Sequence, residues 1–234
     1  MTQELKFNGF SKEMVDFFNN LKRNNNKKWF DSRRKEYETF VMQPAKAFVA
    51  VMGAKLKDIS PNIIAVPKVN KSLFRINRDT RFTLEKSPYK TFMGIFFWEG
   101  SRPRMECSGF YFHLEPPKLL LGAGVYMFPK RLLDRYKRMV VDPEYGGELS
   151  DILKKISKIK DCELGGKHYK RIPGGYDSSH PNAELLLHNG LYAGCEIDIP
   201  DELYYDRLIN YCWIRFYSLA PLHKWLVSIK IGEL

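Results

Sequence analysis

Apolar residues recur at helical spacing near the start of the chain. Met14, Phe17, Phe18 and Leu21 stand at positions i, i+3, i+4 and i+7, which places their side chains on one face of a helix. Ser11 precedes them and belongs to the residue types that cap helix N-termini. The pattern therefore predicts an amphipathic helix with its apolar face in the core. A run of asparagines follows and predicts a tight connection, because Asn tolerates the left-handed conformation.

A second helix is predicted over Lys28–Val41. Pro44 is expected to start or kink its continuation, since proline is tolerated in the first turn of a helix but not in its interior. The continuation carries another apolar stripe at helical spacing, formed by Ala45, Phe48, Val49, Met52 and Leu56. We expect both stripes to be part of the core.

The periodicity changes to that of strands after Pro61. Val66–Ile76 contains alternating stretches, and Thr91–Trp98 is a short aromatic and β-branched run, as is typical of strands. Phe110–Leu114 and Lys118–Met127 flank two prolines and predict antiparallel strands joined by a turn. A sheet of about four or five strands is expected.

Helical patterns return in the second half of the chain. They predict a basic helix over Lys130–Val141 and another after Gly146-Gly147, and then a Gly/Pro-rich loop over Lys167–Pro181. A long helical stretch is expected from about Asp201, with an interruption at Pro221. The residues expected to pack in this stretch are Leu203, Leu208, Tyr211, Ile214 and Phe216.

This order of elements predicts an α+β fold: a central, mostly antiparallel sheet with helices before and after it in sequence. The chain has 234 residues, of which 44% are hydrophobic, so it is long enough to bury a substantial core. No linker, low-complexity tract or internal repeat divides it. We therefore expect a single domain over residues 1–234.

Charged residues interrupt every apolar stretch. The longest runs without Asp, Glu, Lys or Arg are eleven residues, well short of the roughly 20 apolar residues that span a bilayer. The chain begins MTQELKF, which lacks the charged-then-apolar pattern of a signal peptide. A soluble cytoplasmic protein with no membrane partner is expected.

The cysteines and glycines match no cofactor motif. No C-x-x-C pair occurs, so no zinc site is predicted, and His180 and His188 with Asp177 match no metal-ligand spacing. No phosphate-binding or dinucleotide-binding glycine motif occurs, the nearest being Gly122-Ala-Gly124. We expect no metal and no cofactor. Reduced, mostly buried thiols are expected at Cys107, Cys162, Cys195 and Cys212.

One segment concentrates positive charge. Lys68–Lys90 reads KVNKSLFRINRDTRFTLEKSPYK and contains seven Lys or Arg and two acids, so it supplies +5 of the chain's net charge of +11. Arg75, Arg78 and Arg81 are spaced by three around Asp79. Guanidinium groups bind carboxylate or phosphate in a bidentate manner, and three of them exceed what one Asp neutralises. The segment therefore predicts a small anionic ligand.

Further residues are expected to complete this site. Lys86, Tyr89 and Lys90 follow the arginines and are predicted to line the pocket with them. His113, His180 and Asp79 are the candidates for proton transfer, although a structural role for either histidine is an alternative. A second wall is expected from Lys167, His168, Lys170 and Arg171 with Gly174-Gly175, followed by Asp177 and His180. An ordinary turn without a binding role is the alternative for this segment.

Two other interpretations account for the same charges. In the first, the protein binds nucleic acid through the central cluster and a further basic stripe interleaved with Trp29 and Tyr89. That stripe consists of Lys22, Arg23, Lys27, Lys28, Arg33 and Arg34. In the second, the arginines form an internal ion-pair network with acids such as Glu36, Glu38 or Glu115, and the domain is structural or binds a partner protein.

Several strings resemble a known family. FNGFSKEMVDFFNNLKRNNNKKWFDSRRKEYE, SLFRINRDTRFTLEKSPYKT, GFYFHLEP, LLLGAGVY, RIPGGYDSSHP and LAPLHKWL occur in this order and resemble the bacterial and fungal family catalogued as domain of unknown function 2461. The resemblance implies a single full-length domain and no particular reaction. Where a histidine is expected before the second-helix acid, the chain has Arg33 and Arg34. The motif positions are Asn25, Trp29, Phe30, Arg75, Arg78, Asp79, Arg81, Phe82, Lys86, Pro88, Tyr89, Lys90, Pro173, Gly175 and His180.

Overall fold

The chain opens with helices in the computed structural model, which describes residues 6–229. Helix α1 (Lys12–Arg23) follows Ser11 as its N-cap and buries the four predicted apolar residues. The asparagine run ends it without a left-handed residue. Instead, the Asn26 side chain accepts a hydrogen bond from the Trp29 backbone N–H at 3.0 Å and caps the next helix. Capping by a side chain, rather than left-handed backbone, therefore explains this connection.

The predicted second helix breaks at Arg33 and then continues. Its parts are α2 (Lys27–Ser32), α3 (Arg34–Glu36), a π-helical segment (Tyr37–Met42) and α4 (Gln43–Leu56). Pro44 lies in the first turn of α4, directly after the π-helical segment. All five apolar residues predicted to form a stripe here are buried.

A five-stranded antiparallel sheet confirms the α+β prediction. Its strands are β1 (Met93–Glu99), β2 (Ser108–Glu115), β3 (Lys118–Val125), β4 (Cys162–Lys167) and β5 (His188–Asp198), in the order β1-β2-β3-β5-β4. The strand signal over Val66–Ile76 is wrong. That segment makes only isolated bridges, such as Leu73 to Ile95, because turn-type hydrogen bonds and the positive φ of Asn70 prevent a ladder.

Helices α5 (Lys130–Val141) and α6 (Pro143–Ile156) follow the third strand. The bounds predicted for α5 are confirmed, whereas α6 starts before the two glycines expected to precede it. The Asp142 side chain accepts hydrogen bonds from the backbone N–H groups of Glu144 and Tyr145, and Pro143 occupies the first helical position. This strong start signal outweighs the helix-weakening effect of Gly146 and Gly147.

The last helix, α7 (Leu208–Val227), runs through Pro221 without interruption. The predicted break is wrong because Leu222 and Trp225 after the proline are buried like the residues before it, so packing holds the helix on both sides. Ile214 was expected to pack but is 59% exposed. Although α7 has 20 residues, none of the helices within residues 6–229 is long and apolar enough to cross a membrane.

Cys162 and Cys195 form a disulfide, so the prediction of reduced thiols is wrong for this pair. The two residues lie directly opposite each other in the register of β4 and β5. Pairing of distant cysteines depends on strand register, which the sequence pattern did not reveal because neither strand was predicted. Cys107 and Cys212 are free and buried, as expected.

Two compact units are distinguished along the chain. The first contains residues 6–97, 111–120 and 196–214, and the second contains residues 98–110, 121–195 and 215–229. In the first unit the rings of Phe10, Phe48 and Phe112 pack with centroids 4.9–6.0 Å apart. In the second, Tyr136 stacks on Phe128 at 4.7 Å. Each unit therefore has aromatic core packing of its own. Residues 1–5, where no signal peptide is predicted, lie outside the described residues.

Candidate functional site

The central basic residues are presented by a loop whose two ends are joined. We call residues Arg75–Lys90 the basic loop. An isolated bridge joins Asn77 to Tyr89, and the Arg78 backbone N–H donates to the Pro88 carbonyl at 2.9 Å. These bonds hold the two ends of the loop side by side, so the residues between them form a tip. The basic loop lies entirely within the first unit.

Asn25 fixes one end of the basic loop. Its side-chain amide accepts a hydrogen bond from the Tyr89 backbone N–H at 3.0 Å and donates one to the Tyr89 carbonyl at 2.9 Å, as a neighbouring strand would. The Tyr89 ring is buried and stacks on Phe30 with centroids 4.2 Å apart, and burial raises its pKa. Tyr89 therefore anchors the loop in the core, and its contact with a ligand stays a prediction.

The tip of the loop neutralises part of its own charge. Arg81 donates two hydrogen bonds to the Asp79 carboxylate, at 2.9 and 2.7 Å, and these lower the pKa of Asp79 to about 2. Arg78 pairs with Glu85 at 2.6 Å, and this contact lowers the pKa of Glu85. Asp79 thus binds one arginine, Arg81, and Arg78 pairs within the loop rather than with a distant acid.

Three cationic residues remain beyond these two pairs. Lys90 Nζ donates to the Arg75 carbonyl at 2.9 Å, and Lys86 Nζ donates to the Thr80 carbonyl at 2.9 Å. The Arg75 side chain is exposed. With five cationic residues and two acids, the loop has a net charge of +3. Arg75 and Lys90 place part of that excess at the base of the loop.

Aromatic rings connect the base of the loop to a histidine. Lys90 Nζ lies 5.4 Å from the ring centroid of Phe74 and 5.8 Å from that of Phe92, within the range of a cation–π contact. Phe92 packs on the His113 ring with centroids 4.2 Å apart, and Phe74 packs edge-on against Tyr111. The structure therefore brings Arg75, Lys90 and His113 into one neighbourhood.

His113 belongs to a polar row on β2. The Tyr111 hydroxyl lies 2.9 Å from His113 Nδ1, and His113 Nε2 lies 3.6 Å from Glu115 Oε2. Thr91 Oγ1 donates to the other Glu115 oxygen at 2.7 Å. Because a carboxylate only accepts, the Nε2 proton points to Glu115 and Nδ1 accepts from Tyr111. Burial lowers the pKa of His113, partly opposed by Glu115, and its side chain remains 22% exposed.

Two large apolar side chains stand out at the tip. Phe82 is 89% exposed and Leu84 is fully exposed. The Arg81 guanidinium lies 5.4 Å from the Phe82 ring centroid. The tip of the loop thus presents two apolar side chains to solvent, one of them beside a guanidinium group.

The remaining predicted residues lie in the second unit. His180 Nδ1 accepts a hydrogen bond from the Asn182 backbone N–H at 3.0 Å, so it stabilises a turn. Lys167 ends β4 and pairs with Glu184 at 2.7 Å. Gly175 has φ of +89°, a conformation that favours glycine. Turn geometry accounts for these features, and their role as a binding wall stays a prediction.

An open cleft of about 850 Å³ lies elsewhere in the first unit. It is lined by Ala50, Val51, Ala54, Ile209 and Asn210, among others, and includes none of the predicted site residues. We place the candidate site at the basic loop and His113, since these groups offer acid–base chemistry and excess charge together. Among the described residues no group of three or more His, Cys, Asp or Glu could hold a metal ion.

Sequence reasoning missed the partners that position these groups. Asn25 was recognised as a motif position but not as the anchor of Tyr89, because the two are 64 residues apart. Tyr111, His113 and Glu115 alternate along a predicted strand, so they share one face. That alternation of polar residues was the available signal for the row.

The fold and the basic loop together define an α+β protein with a positively charged loop beside a histidine on its sheet. Residues 13–225 match the family described as conserved hypothetical protein, domain of unknown function 2461, and the chain belongs to this family. The match includes the basic loop, the polar row on β2 and most of α7. No curated protein matches the sequence.

Proposed function

We propose that the protein binds a small anion, a phosphorylated or carboxylated molecule, at the base of the basic loop. The observation that carries this proposal is the position of Lys90, whose ammonium group binds the Arg75 backbone carbonyl and lies 5.8 Å from the ring of Phe92, which packs on His113. Arg75 is exposed, and a guanidinium group suits bidentate binding of carboxylate or phosphate. Tyr89 and the Asn25 amide hold this end of the loop in place, which limits the entropy lost on binding.

His113 gives the same site a group for proton transfer. It is neutral at pH 7 because burial lowers its pKa. Nδ1 accepts the Tyr111 proton in the free protein, so a ligand hydroxyl that replaced Tyr111 would meet a general base. In the catalytic version of this proposal, the protein is an enzyme that acts on the bound anion. Glu115 then orients the imidazole of His113.

The ion-pair interpretation receives little support. The Arg78 side chain is 24% exposed and that of Glu85 is 64% exposed, and the Arg81–Asp79 pair is also exposed to solvent. Solvent screens exposed pairs of this kind, so they contribute little to the stability of the fold. The acids considered as distant partners are engaged elsewhere: Glu38, for example, pairs with Lys46 at 2.9 Å. If the arginines formed an internal ion-pair network, their ion pairs would be buried.

Removal of the Arg75 guanidinium is expected to abolish stabilisation by anions. In low salt, phosphate or citrate should raise the melting temperature of the wild type by about 5 °C or more at concentrations near 100 times the dissociation constant. The Arg75→Gln variant should lose most of this increase without a lower melting temperature in the absence of ligand, because the side chain is exposed.

Lys71→Gln provides the matched control for Arg75→Gln. Lys71 is exposed and belongs to the same basic segment but lies outside the basic loop, so its loss removes one charge without touching the base of the loop. Equal losses in the two variants would indicate a diffuse charge effect, and no stabilisation of the wild type by any anion would contradict the proposal.

A second candidate function is binding of single-stranded nucleic acid. The two hydrogen bonds between Asn25 and Tyr89 place the α1–α2 connection, with Arg23 and Lys27 on either side of it, beside the base of the loop. The exposed Phe82 ring offers a stacking platform next to Arg81. Two basic segments that adjoin in one unit are what a phosphate-contacting surface requires.

For nucleic acid we expect affinity that falls linearly with the logarithm of salt concentration. The slope for a single-stranded oligonucleotide should be about −0.7 per phosphate contacted. Phe82→Ala should weaken binding by about 1–3 kcal/mol, the contribution of one stacked base, whereas Leu84→Ala should have a smaller effect because Leu has no π face. Fluorescence anisotropy measures both, and salt-independent or undetectable binding would exclude this candidate.

A further inference from the structure

Three polar side chains of the second unit form a chain of hydrogen bonds that the basic loop does not involve. Ser108 Oγ lies 2.9 Å from His223 Nδ1, and His223 Nε2 lies 3.2 Å from Glu99 Oε2. Glu99 ends β1, Ser108 begins β2 and His223 lies in α7. Residues far apart in sequence therefore place a hydroxyl, an imidazole and a carboxylate in series.

The direction of the protons follows from the acceptors. The Glu99 carboxylate only accepts, so His223 Nε2 carries the ring proton and Nδ1 accepts from the Ser108 hydroxyl. Burial lowers the pKa of His223, so the ring is neutral and its Nδ1 is unprotonated near pH 7. Serine activated by a neutral histidine that a carboxylate orients is the arrangement of nucleophilic hydrolases.

Packing fixes the orientation of the imidazole. His223 is 0% exposed and its ring lies 4.6 Å from that of Phe110, centroid to centroid. Ser108 is 2% exposed. The connection from Gly100 to Cys107 joins the two strand ends that carry Glu99 and Ser108. Exclusion of water strengthens the electrostatic interactions of such a group.

We propose that Ser108, His223 and Glu99 form a hydrolytic centre for carboxylic esters. Ser108 Oγ attacks the ester carbonyl carbon, forming a C–O bond while its proton moves to His223 Nδ1. The bond to the alkoxy group then breaks, and that group leaves as an alcohol with the proton from His223. Water next attacks the acyl-serine, His223 takes and returns a proton, and the carboxylic acid leaves with Ser108 restored. Glu99 positions the imidazole throughout.

The connection also indicates the class of ester. It contains Arg102 and Arg104, and the Arg102 carbonyl lies 3.5 Å from the sulfur of Cys107, the neighbour of Ser108. Arg102 Nε is buried and has no hydrogen-bond partner among the described residues, whereas buried donors are nearly always paired. An acyl group that carries a carboxylate supplies a partner. The substrate class is therefore an ester with an anionic acyl chain.

A fluorophosphonate probe tests the nucleophile directly. We expect the wild-type chain to be labelled at Ser108, located by mass spectrometry of the labelled peptide, a result that needs no variant. Ser108→Ala should lose labelling, and His223→Gln should slow it by about 100-fold or more, the contribution of a general base. Ser72→Ala is the matched control, since Ser72 is also buried and its Oγ accepts a hydrogen bond from the Val66 backbone N–H. Labelling of this variant should equal that of the wild type.

Absence of labelling on the wild type, under conditions that label a known serine esterase fully, would overturn the proposal. So would labelling that persists in Ser108→Ala. Hydrolysis of 4-nitrophenyl hemisuccinate should exceed that of 4-nitrophenyl acetate, and Arg102→Gln should remove the difference. Equal rates on the two esters would overturn the assigned substrate class. Lys71→Gln, which removes one exposed charge outside the basic loop, should leave both assays unchanged.

Discussion

Gly146→Ala is expected to destabilise the protein by about 3 kcal/mol. A Cβ at this position would meet the Val140 carbonyl oxygen and lie 2.9 Å from Asn182 Nδ2. The Asn182 amide donates to the carbonyls of Val140 and Gly146, at 3.0 and 2.9 Å, in a buried setting. The new methyl group therefore overpacks the helix contact and displaces paired polar groups, which cost about 1–3 kcal/mol each.

Gly147→Ala is the matched control and should have the opposite sign. A Cβ at Gly147 meets nothing within 4 Å, and the residue lies in the same helix, α6. Alanine is favoured over glycine in helix interiors by about 0.5–1 kcal/mol, so this change should stabilise the protein by that amount. Urea unfolding of both variants measures the difference. Two stabilising changes would show that α6 does not pack on Asn182 as described.

These glycines also show why helix bounds were only partly predictable. Periodicity placed α5 at the correct residues, because one amphipathic helix gives a strong repeating signal. For α6 the glycines predict a break before the helix, although Asp142 and Pro143 form a start signal just ahead of them. Gly146 is present because the α5–α6 contact leaves no room for a side chain, and that contact is a tertiary feature. Local pattern cannot distinguish a turn glycine from a packing glycine.

The strands missed in the sequence have a related explanation. Strand β4 reads CELGGK and has no buried residue, so it lacks the alternation that identifies a strand. In β5 the residues alternate more clearly, but Gly190 and Gly194 weaken the strand signal. The disulfide between Cys162 and Cys195 depends on the register of these two strands. It could therefore not be predicted from a sequence in which neither strand was recognised.

The candidate site was predicted in composition but not in geometry. The arginines, Lys90 and His113 were named from charge and residue type, and the structure joins the last two through Phe92. Arg81 pairs with Asp79, which is only two residues away. This pair depends on the conformation of the loop, and the sequence pattern does not determine that conformation. The Ser108–His223 contact spans 115 residues, so no local motif could indicate it.

A fall in pH is expected to destabilise the protein, and this effect should begin at pH values well above those at which carboxylates titrate. Burial lowers the pKa of His113, His188 and His223 in the folded state, while the unfolded value is about 6.5. The unfolded chain therefore binds protons first as the pH falls. Stability is complete above about pH 6.5 and is lost below it, by up to about 1.4 kcal/mol per pH unit for each histidine.

Urea unfolding at pH 7.5, 6.5 and 5.5 measures this slope. His188→Gln should reduce the slope, because one group that binds a proton only on unfolding is removed, whatever the variant's own stability at pH 7.5. A free energy of unfolding that stays constant from pH 7.5 to 5.5 would contradict the neutral, buried state of these histidines. Because the neutral state of His223 is also what leaves Nδ1 able to accept the Ser108 proton, the same acid titration that destabilises the fold should slow labelling of Ser108.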